Sequence, residues 1–269
     1  MYTEHYSLTE MPFNVTPDPK FLYMSDQHRT ALNHLLFCVR QGQGFALLTG
    51  EVGTGKTTLC RKLLESLEMT HNTALILNPM LSGPQLLRAV VEEFGLESRG
   101  GGRLESISLL NQFLLGASAS GREAALIIDE AQDMSAEMLE MTRLLSNLET
   151  NSRKLLQIVL VGQPELRRKL RSPGLRQLDQ RIIVRCHLRP MSLEETTRYI
   201  RYRLYVAGAK STLRFADDAA EEVFRHSGGT PRLINALCDK SLLAGYVRGT
   251  SYIDSELVRL AVRELKEAA

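Results

Sequence analysis

The chain has 269 residues, of which 43% are hydrophobic and 24% charged. This is ordinary globular usage. It excludes a disordered or collagen-like chain and leaves room for one large domain, or a medium domain with a small companion. Lys plus Arg number 33 against 31 Asp plus Glu, so the net charge is only +2. Neither a basic nucleic-acid coat nor an acidic tail covers the whole molecule. No run approaches the roughly 18 apolar residues of a membrane-spanning helix. The first six residues, Met1 to Tyr6, lack the basic and apolar regions of a signal peptide. Cys38, Cys60, Cys186 and Cys238 form no C-x-x-C pair and no repeated ligand spacing. They read as four reduced, buried thiols of a cytoplasmic protein, without structural zinc.

In chain order, the first feature is a stretch rich in proline and aromatic residues, Met11 to Tyr23, whose prolines forbid a continuous helix. It is expected to lie extended on the body of the protein. Ser25 then caps a helix to about Arg40. Short apolar runs at Phe45–Thr49, Ala74–Asn78, Ala124–Ile128, Gln157–Val161 and, more weakly, Ile183–Leu188 read as strands covered on both faces. Helical patterns lie between them at Lys56–Leu67, Pro84–Phe94, Leu104–Leu115, Ala136–Leu148 and Pro164–Leu170, and Arg99–Arg103 reads as a flexible loop. Such alternation predicts an α/β fold with a parallel five-stranded sheet flanked by helices. After Pro190 the pattern becomes helical, with at most a short strand at Thr250–Ile253. Ser192 and Glu195 form a capping box opening a helix to about Val206, and further helices follow near Asp217–Arg225, Pro231–Tyr246 and Asp254–Leu265. The expected division is residues 1–190, including the aromatic segment 1–24, and a small all-helical domain at 191–269.

Gly50, Glu51, Val52, Gly53, Thr54, Gly55, Lys56 and Thr57 fit G-x-x-x-x-G-K-[ST], with Thr58 following, between a predicted strand and a predicted helix. Glycines let the backbone wrap a polyphosphate with its N–H groups turned inward, and the helix N-terminus adds a positive dipole end. Lys56 would reach the β- and γ-phosphates, and the Thr57 hydroxyl would serve Mg²⁺. Asp129 and Glu130 end the third strand. A strand delivering an acid pair suits the second half of a P-loop site, with Asp129 toward the metal and Glu130 toward the attacking water. No N-K-x-D guanine motif is present, so ATP is the expected nucleotide.

The P-loop with Thr58, the run Asp129 to Gln132, the N-terminal Pro12 to Pro19 segment, Gly162 to Leu166 and Gly228 to Arg232 together resemble the AAA+ ATPases of the ExeA (general secretion pathway protein A) and MshM family. The resemblance implies a P-loop AAA+ domain followed by a helical lid. It implies that Gln163 is the polar sensor after the fourth strand and that Arg232 is a second sensor from the lid. It further implies that Asn78 is the polar switch pairing with Glu130, and that Arg181 is an arginine finger offered in trans within a homo-oligomer, with Arg176 and Arg185 as competing candidates. ExeA-type proteins continue into a transmembrane helix and a peptidoglycan-binding domain, whereas this chain stops at Ala269, so the shorter MshM-like members are the better match. The family supports assembly of envelope machines, such as type II secretion, MSHA or type IV pili and polysaccharide export. The implied partner is an inner-membrane assembly protein.

Basic residues crowd the stretch from Arg153 to Arg189. They suit an ordinary solvated face, an oligomer surface or a phosphate-binding surface. The last keeps open a DNA-binding regulator of the transposition type, and a nucleotide-gated scaffold with negligible turnover is a further alternative. Met134, Met138 and Met141 read as core, and Tyr199, Tyr202 and Tyr205 as half-buried packing of the lid.

Overall fold

The computed structural model describes residues 2–14, 18–97, 102–150 and 153–267. The elements run α1 (Tyr2–His5), α2 (Asp26–Arg40), β1 (Phe45–Gly50), α3 (Lys56–Leu67), β2 (His71–Ile76), α4 (Gly83–Glu93), α5 (Arg103–Ala119), β3 (Glu123–Ile128), α6 (Ala136–Leu145) and β4 (Leu156–Gly162). There follow α7 (Pro164–Leu170), α8 (Arg176–Arg181), β5 (Ile182–Leu188), α9 (Leu193–Val206), β6 (Arg214–Phe215), α10 (Asp217–Ser227), α11 (Pro231–Arg248), β7 (Tyr252–Ile253) and α12 (Ser255–Glu267). The loop expected at Arg99–Arg103 lies, at residues 99–101, outside the described residues. Among the described residues no helix is long and apolar enough to cross a membrane.

The chain divides into two compact units: residues 26–52 with 59–188, and residues 1–25 with 53–58 and 189–269. The first is built on a five-stranded parallel sheet in the order β2-β3-β4-β1-β5. The central strands β1 and β4 are buried at every position and β3 at all but the first, which is why they read as continuous apolar runs. In β5 burial alternates, with Ile182, Cys186 and Leu188 inside and Ile183 60% exposed. An edge strand carries half the apolar signal, which explains its fainter pattern. The register sets Ile128 beside Leu160 and Thr49 beside Gly162, so the carboxyl ends of β3, β4 and β1 share one edge of the sheet. Buried Gln157 in β4 is satisfied: its Oε1 accepts from the Gly44 N–H at 2.7 Å and its Nε2 donates to the Lys154 carbonyl at 3.3 Å. Met134, Met138 and Met141 are all buried, as a core role requires. The Ser135 hydroxyl caps α6 by accepting from the Met138 N–H.

The second unit gathers α9–α12 around their own core, with the Ser192–Glu195 capping box at the start of α9. The observed division departs from the expected one: residues 53–58 fall in this unit, and so does the N-terminal segment. Residues 1–25 join the helical unit, because Tyr2, Tyr6, Leu8, Phe13 and Phe21 are buried in the same cluster as Tyr199, Leu242 and Val258. The segment is pinned by polar bonds as well. Tyr2 Oη donates to Asp239 Oδ1 at 2.5 Å, and Tyr6 Oη lies 3.0 Å from the Leu242 carbonyl and 3.1 Å from that of Thr250. The buried Arg203 donates to the Pro12 and Asn14 carbonyls and lies over the Phe21 ring, 4.5 Å from its centroid. Of the tyrosine row, Tyr199 is 4% exposed and donates to Asn235 Oδ1 at 2.7 Å, whereas Tyr205 is 79% exposed. A three-residue step falls short of a full helical turn by about 60°, so the row rotates out of the core. The two-residue strand β6, paired in parallel with β7, carries no pattern long enough to read from sequence.

Candidate functional site

The tip of β1 runs into the Gly50–Thr57 loop, and α3 opens at Lys56 with no acidic residue in its first turn. Gly53 (φ +79°) and Gly55 (φ +93°) occupy the left-handed region, which only glycine enters without strain. Lys56 and Thr54 are buried at 5% and 1% exposure, Thr57 and Thr58 are half-buried, and Glu51 and Val52 are exposed. A polyphosphate suits this set: a glycine turn without side chains, an acid-free helix N-terminus and a buried ammonium.

Arg232 sits against this loop within the same compact unit. Its N–H donates to the Gly53 carbonyl at 3.3 Å, and a Cβ on Gly53 would stand 2.6 Å from Arg232 Cβ. The Arg232 side chain is exposed, and its guanidinium makes no hydrogen bond or ion pair among the described residues. The turn before it requires glycine too. The Gly229 (φ +77°) carbonyl accepts from the Met191 N–H at 2.8 Å, and a Cβ there would lie 1.9 Å from the Met191 carbonyl oxygen. This is the physical content of the Gly228–Arg232 motif.

In the sheet unit, Asp129 is 2% exposed at the end of β3, and its N–H donates to the Ile76 carbonyl at 2.8 Å. Its Oδ1 accepts from the Glu130 N–H at 2.9 Å. Glu130 is half-buried with φ +50°, a rare backbone for a non-glycine residue. Its Oε2 accepts from Gln132 Nε2 at 2.8 Å. Gln163 follows β4 as the N-cap of α7. Its N–H donates to Gln132 Oε1 at 3.0 Å, and its own side-chain amide has no hydrogen bond among the described residues.

Asn78 does not stand where the sequence placed it. The strand β2 ends at Ile76, and Asn78 is exposed in the following loop, where its Oδ1 accepts from the Met80 N–H at 3.2 Å. It forms a local turn rather than a pair with Glu130, since an Asn before Pro79 satisfies its own backbone two residues on. The residue that does meet Glu130 is Gln132, which sequence reading included in the acid motif without giving it a role.

Arg181 closes α8. Its Nη1 donates to Ser146 Oγ at 2.8 Å and Asn147 Oδ1 at 2.7 Å, beside the C-terminus of α6, where a cation is favoured. Nε and Nη2 have no partner among the described residues, so one edge of the guanidinium is anchored and the other is unoccupied by protein. Arg185 pairs with Asp179 at 3.0 Å, while Arg176 is exposed and makes no hydrogen bond or ion pair among the described residues. Several other cations of the 153–189 stretch are also taken up locally: Arg153 by Ser118, Lys154 by Glu149, Arg168 by Glu165 and Lys169 by the Gln132 and Met134 carbonyls.

Comparison with known proteins agrees with the fold. Residues 39–170 match the family model described as AAA domain. Over 266 residues the chain is 46% identical to General secretion pathway protein A of Aeromonas hydrophila, a match covering 98% of this chain and 48% of that protein. The chain thus spans about half the length of this curated relative. Among solved structures, the ORC2 protein of Aeropyrum pernix, in its ADPNP–ADP complexes, superposes with a TM-score of 0.72 at 18% identity, covering 97% of this chain and 72% of that one. Cdc6p of Pyrobaculum aerophilum gives 0.69 at 17% identity, covering 93% and 71%. At such identities these structures speak for the fold. With its parallel sheet, P-loop and helical unit, the chain has the AAA+ P-loop fold and is similar to General secretion pathway protein A.

Proposed function

We propose that this chain binds ATP with Mg²⁺, hydrolyses it as an oligomer, and uses the nucleotide state to control a partner in a cell-envelope machine. The observation that carries the reading is the Gly50–Thr57 loop: left-handed glycines, an acid-free helix start and buried Lys56. Lys56 neutralises phosphate charge, and the main-chain N–H groups hold the phosphate oxygens. Thr57 and Asp129 offer the oxygen donors that a hard cation takes. When bound, Mg²⁺ offsets the charge developing on the transferred phosphoryl group. Glu130 orients the attacking water and accepts its proton. Gln163 and Arg232, whose side chains have no hydrogen-bond partner among the described residues, act as polar contacts to the γ-phosphate. Arg181, with one edge held by α6, is the finger for a neighbouring subunit's nucleotide.

The envelope role rests on the likeness to General secretion pathway protein A. The proposed partner is accordingly a secretion or pilus assembly protein at the cytoplasmic face of the inner membrane. Phosphate release from the assembled protein tests the enzymatic part. Turnover should be present in the wild type and lost in Glu130→Gln, which should still bind ATP. Specific activity should fall on dilution and on Arg181→Ala. Negligible release from a confirmed oligomer would instead make the chain a nucleotide-gated scaffold.

A further inference from the structure

We infer that Gln132 is a positioning residue for Glu130, tying the carboxylate of the proposed base to the tip of β4. This rests on the reading of Glu130 as the water-activating group. Every hydrogen-bonding atom of the Gln132 side chain is used. Nε2 donates to Glu130 Oε2 at 2.8 Å and to Asp133 Oδ2 at 3.1 Å, and Oε1 accepts from the Gln163 N–H at 3.0 Å. The neighbours fix which end of the amide is which, because ionised carboxylates only accept and a main-chain N–H only donates. The Gln132 carbonyl is held in turn by Lys169 Nζ. The side chain is therefore a bridge anchored at both ends.

The backbone around Glu130 is built for the same purpose. Its left-handed conformation costs about 1–3 kcal/mol and is secured by the Glu130 N–H to Asp129 Oδ1 and by the Asp133 N–H to the Glu130 carbonyl, both at 2.9 Å. That conformation brings the Glu130 side chain to Gln132. With Oε2 occupied, Oε1 has no hydrogen-bond partner among the described residues and is the oxygen left for water. The glycine at the end of β4 makes room for the bridge: a Cβ on Gly162 would lie 2.7 Å from Gln132 Oε1 and 3.3 Å from the Gln132 nitrogen. A shift of the main chain at Gln163 would thus reach the base through a single side chain.

The test compares phosphate release, ATP affinity and melting temperature for the wild type, Gln132→Ala, Gly162→Ala, Glu130→Ala and the double variants with Glu130→Ala. Losing a hydrogen bond to a charged group predicts a roughly ten- to hundred-fold fall in kcat for Gln132→Ala, with ATP affinity within about twofold of wild type. Gly162→Ala, which leaves Gln132 in place but displaces its Oε1, should behave alike. Neither change should lower the residual rate further once Glu130 is Ala, because a residue acting through Glu130 has nothing left to position. An inactive Glu130→Ala together with a fully active Gln132→Ala would overturn this inference alone. Losses that multiply in the double variants, or that appear in ATP affinity rather than kcat, would also overturn it. A fully active Glu130→Ala would overturn the reading of the base itself.

Discussion

Replacing Gly53 by Ala should damage the P-loop twice over. The residue has φ +79°, so a side chain incurs the left-handed penalty of about 1–2 kcal/mol. The new methyl would also stand 2.6 Å from Arg232 Cβ and 3.3 Å from Thr230 Cγ2, where relaxed carbon contacts sit at about 3.5–4.0 Å. Overpacking of this kind costs a further ~1–3 kcal/mol. Gly95 is a matched control. Its φ is +76°, but nothing lies within 4 Å of its would-be Cβ, so Gly95→Ala meets the conformational penalty alone. The excess for Gly53→Ala should appear as a lower melting temperature, as weaker ATP binding where the loop shifts to relieve the clash, or as both. Expressed wholly as affinity, about 1–3 kcal/mol is a five- to 150-fold loss. Thermal unfolding and titration with a fluorescent ATP analogue would measure both. A Gly53→Ala protein that melts with Gly95→Ala and binds ATP like the wild type would refute the close approach of Arg232 to the loop.

Two predictions concern titratable groups. All four cysteines are buried and outside any disulfide, and burial pushes the Cys38 and Cys186 thiols up to about 11 and Cys238 well above its ordinary value. At mildly alkaline pH, Ellman's reagent should react slowly with the native protein and rapidly after denaturation; fast labelling of several native thiols would contradict this. His71 is 4% exposed, and burial lowers its pKa below the ordinary 6.5, with Glu123, 3.2 Å away, pulling the other way. Its contribution to stability is complete above about pH 6.5 and lost as pH falls through the lowered folded-state value. His71→Gln should therefore flatten the stability profile between about pH 7 and pH 5, and an unchanged slope in urea melts would count against it.

Sequence revealed most where a pattern is both local and chemically constrained. The central strands were legible because burial on both faces leaves an uninterrupted apolar run, as at Leu126–Ile128 and Ile158–Val161. The P-loop was legible because glycine, lysine and threonine at fixed spacing have one common use. The helix carrying Tyr199, Tyr202 and Tyr205 was also foreseen, but not that its last tyrosine leaves the core. Other features depend on contacts between residues distant in sequence. The placement of residues 1–25 in the helical unit turns on Arg203, which reaches carbonyls 191 and 189 positions away. Similarly, the partner of Glu130 depends on where β2 stops, and ending two residues short of Asn78 leaves that side chain to its own turn. Gln132 had a visible signal, an amide two residues past an acid pair, but its role emerged only with the Gln163 N–H in view.

Titration calorimetry of the purified chain with Mg²⁺ and ATP, wild type against Lys56→Ala, goes to the root of the assignment. The phosphate-cradling role of the Gly50–Thr57 loop predicts saturable heat with the wild type and its loss in a folded Lys56→Ala protein. Absence of heat with the wild type, or equal binding by both proteins, would contradict it.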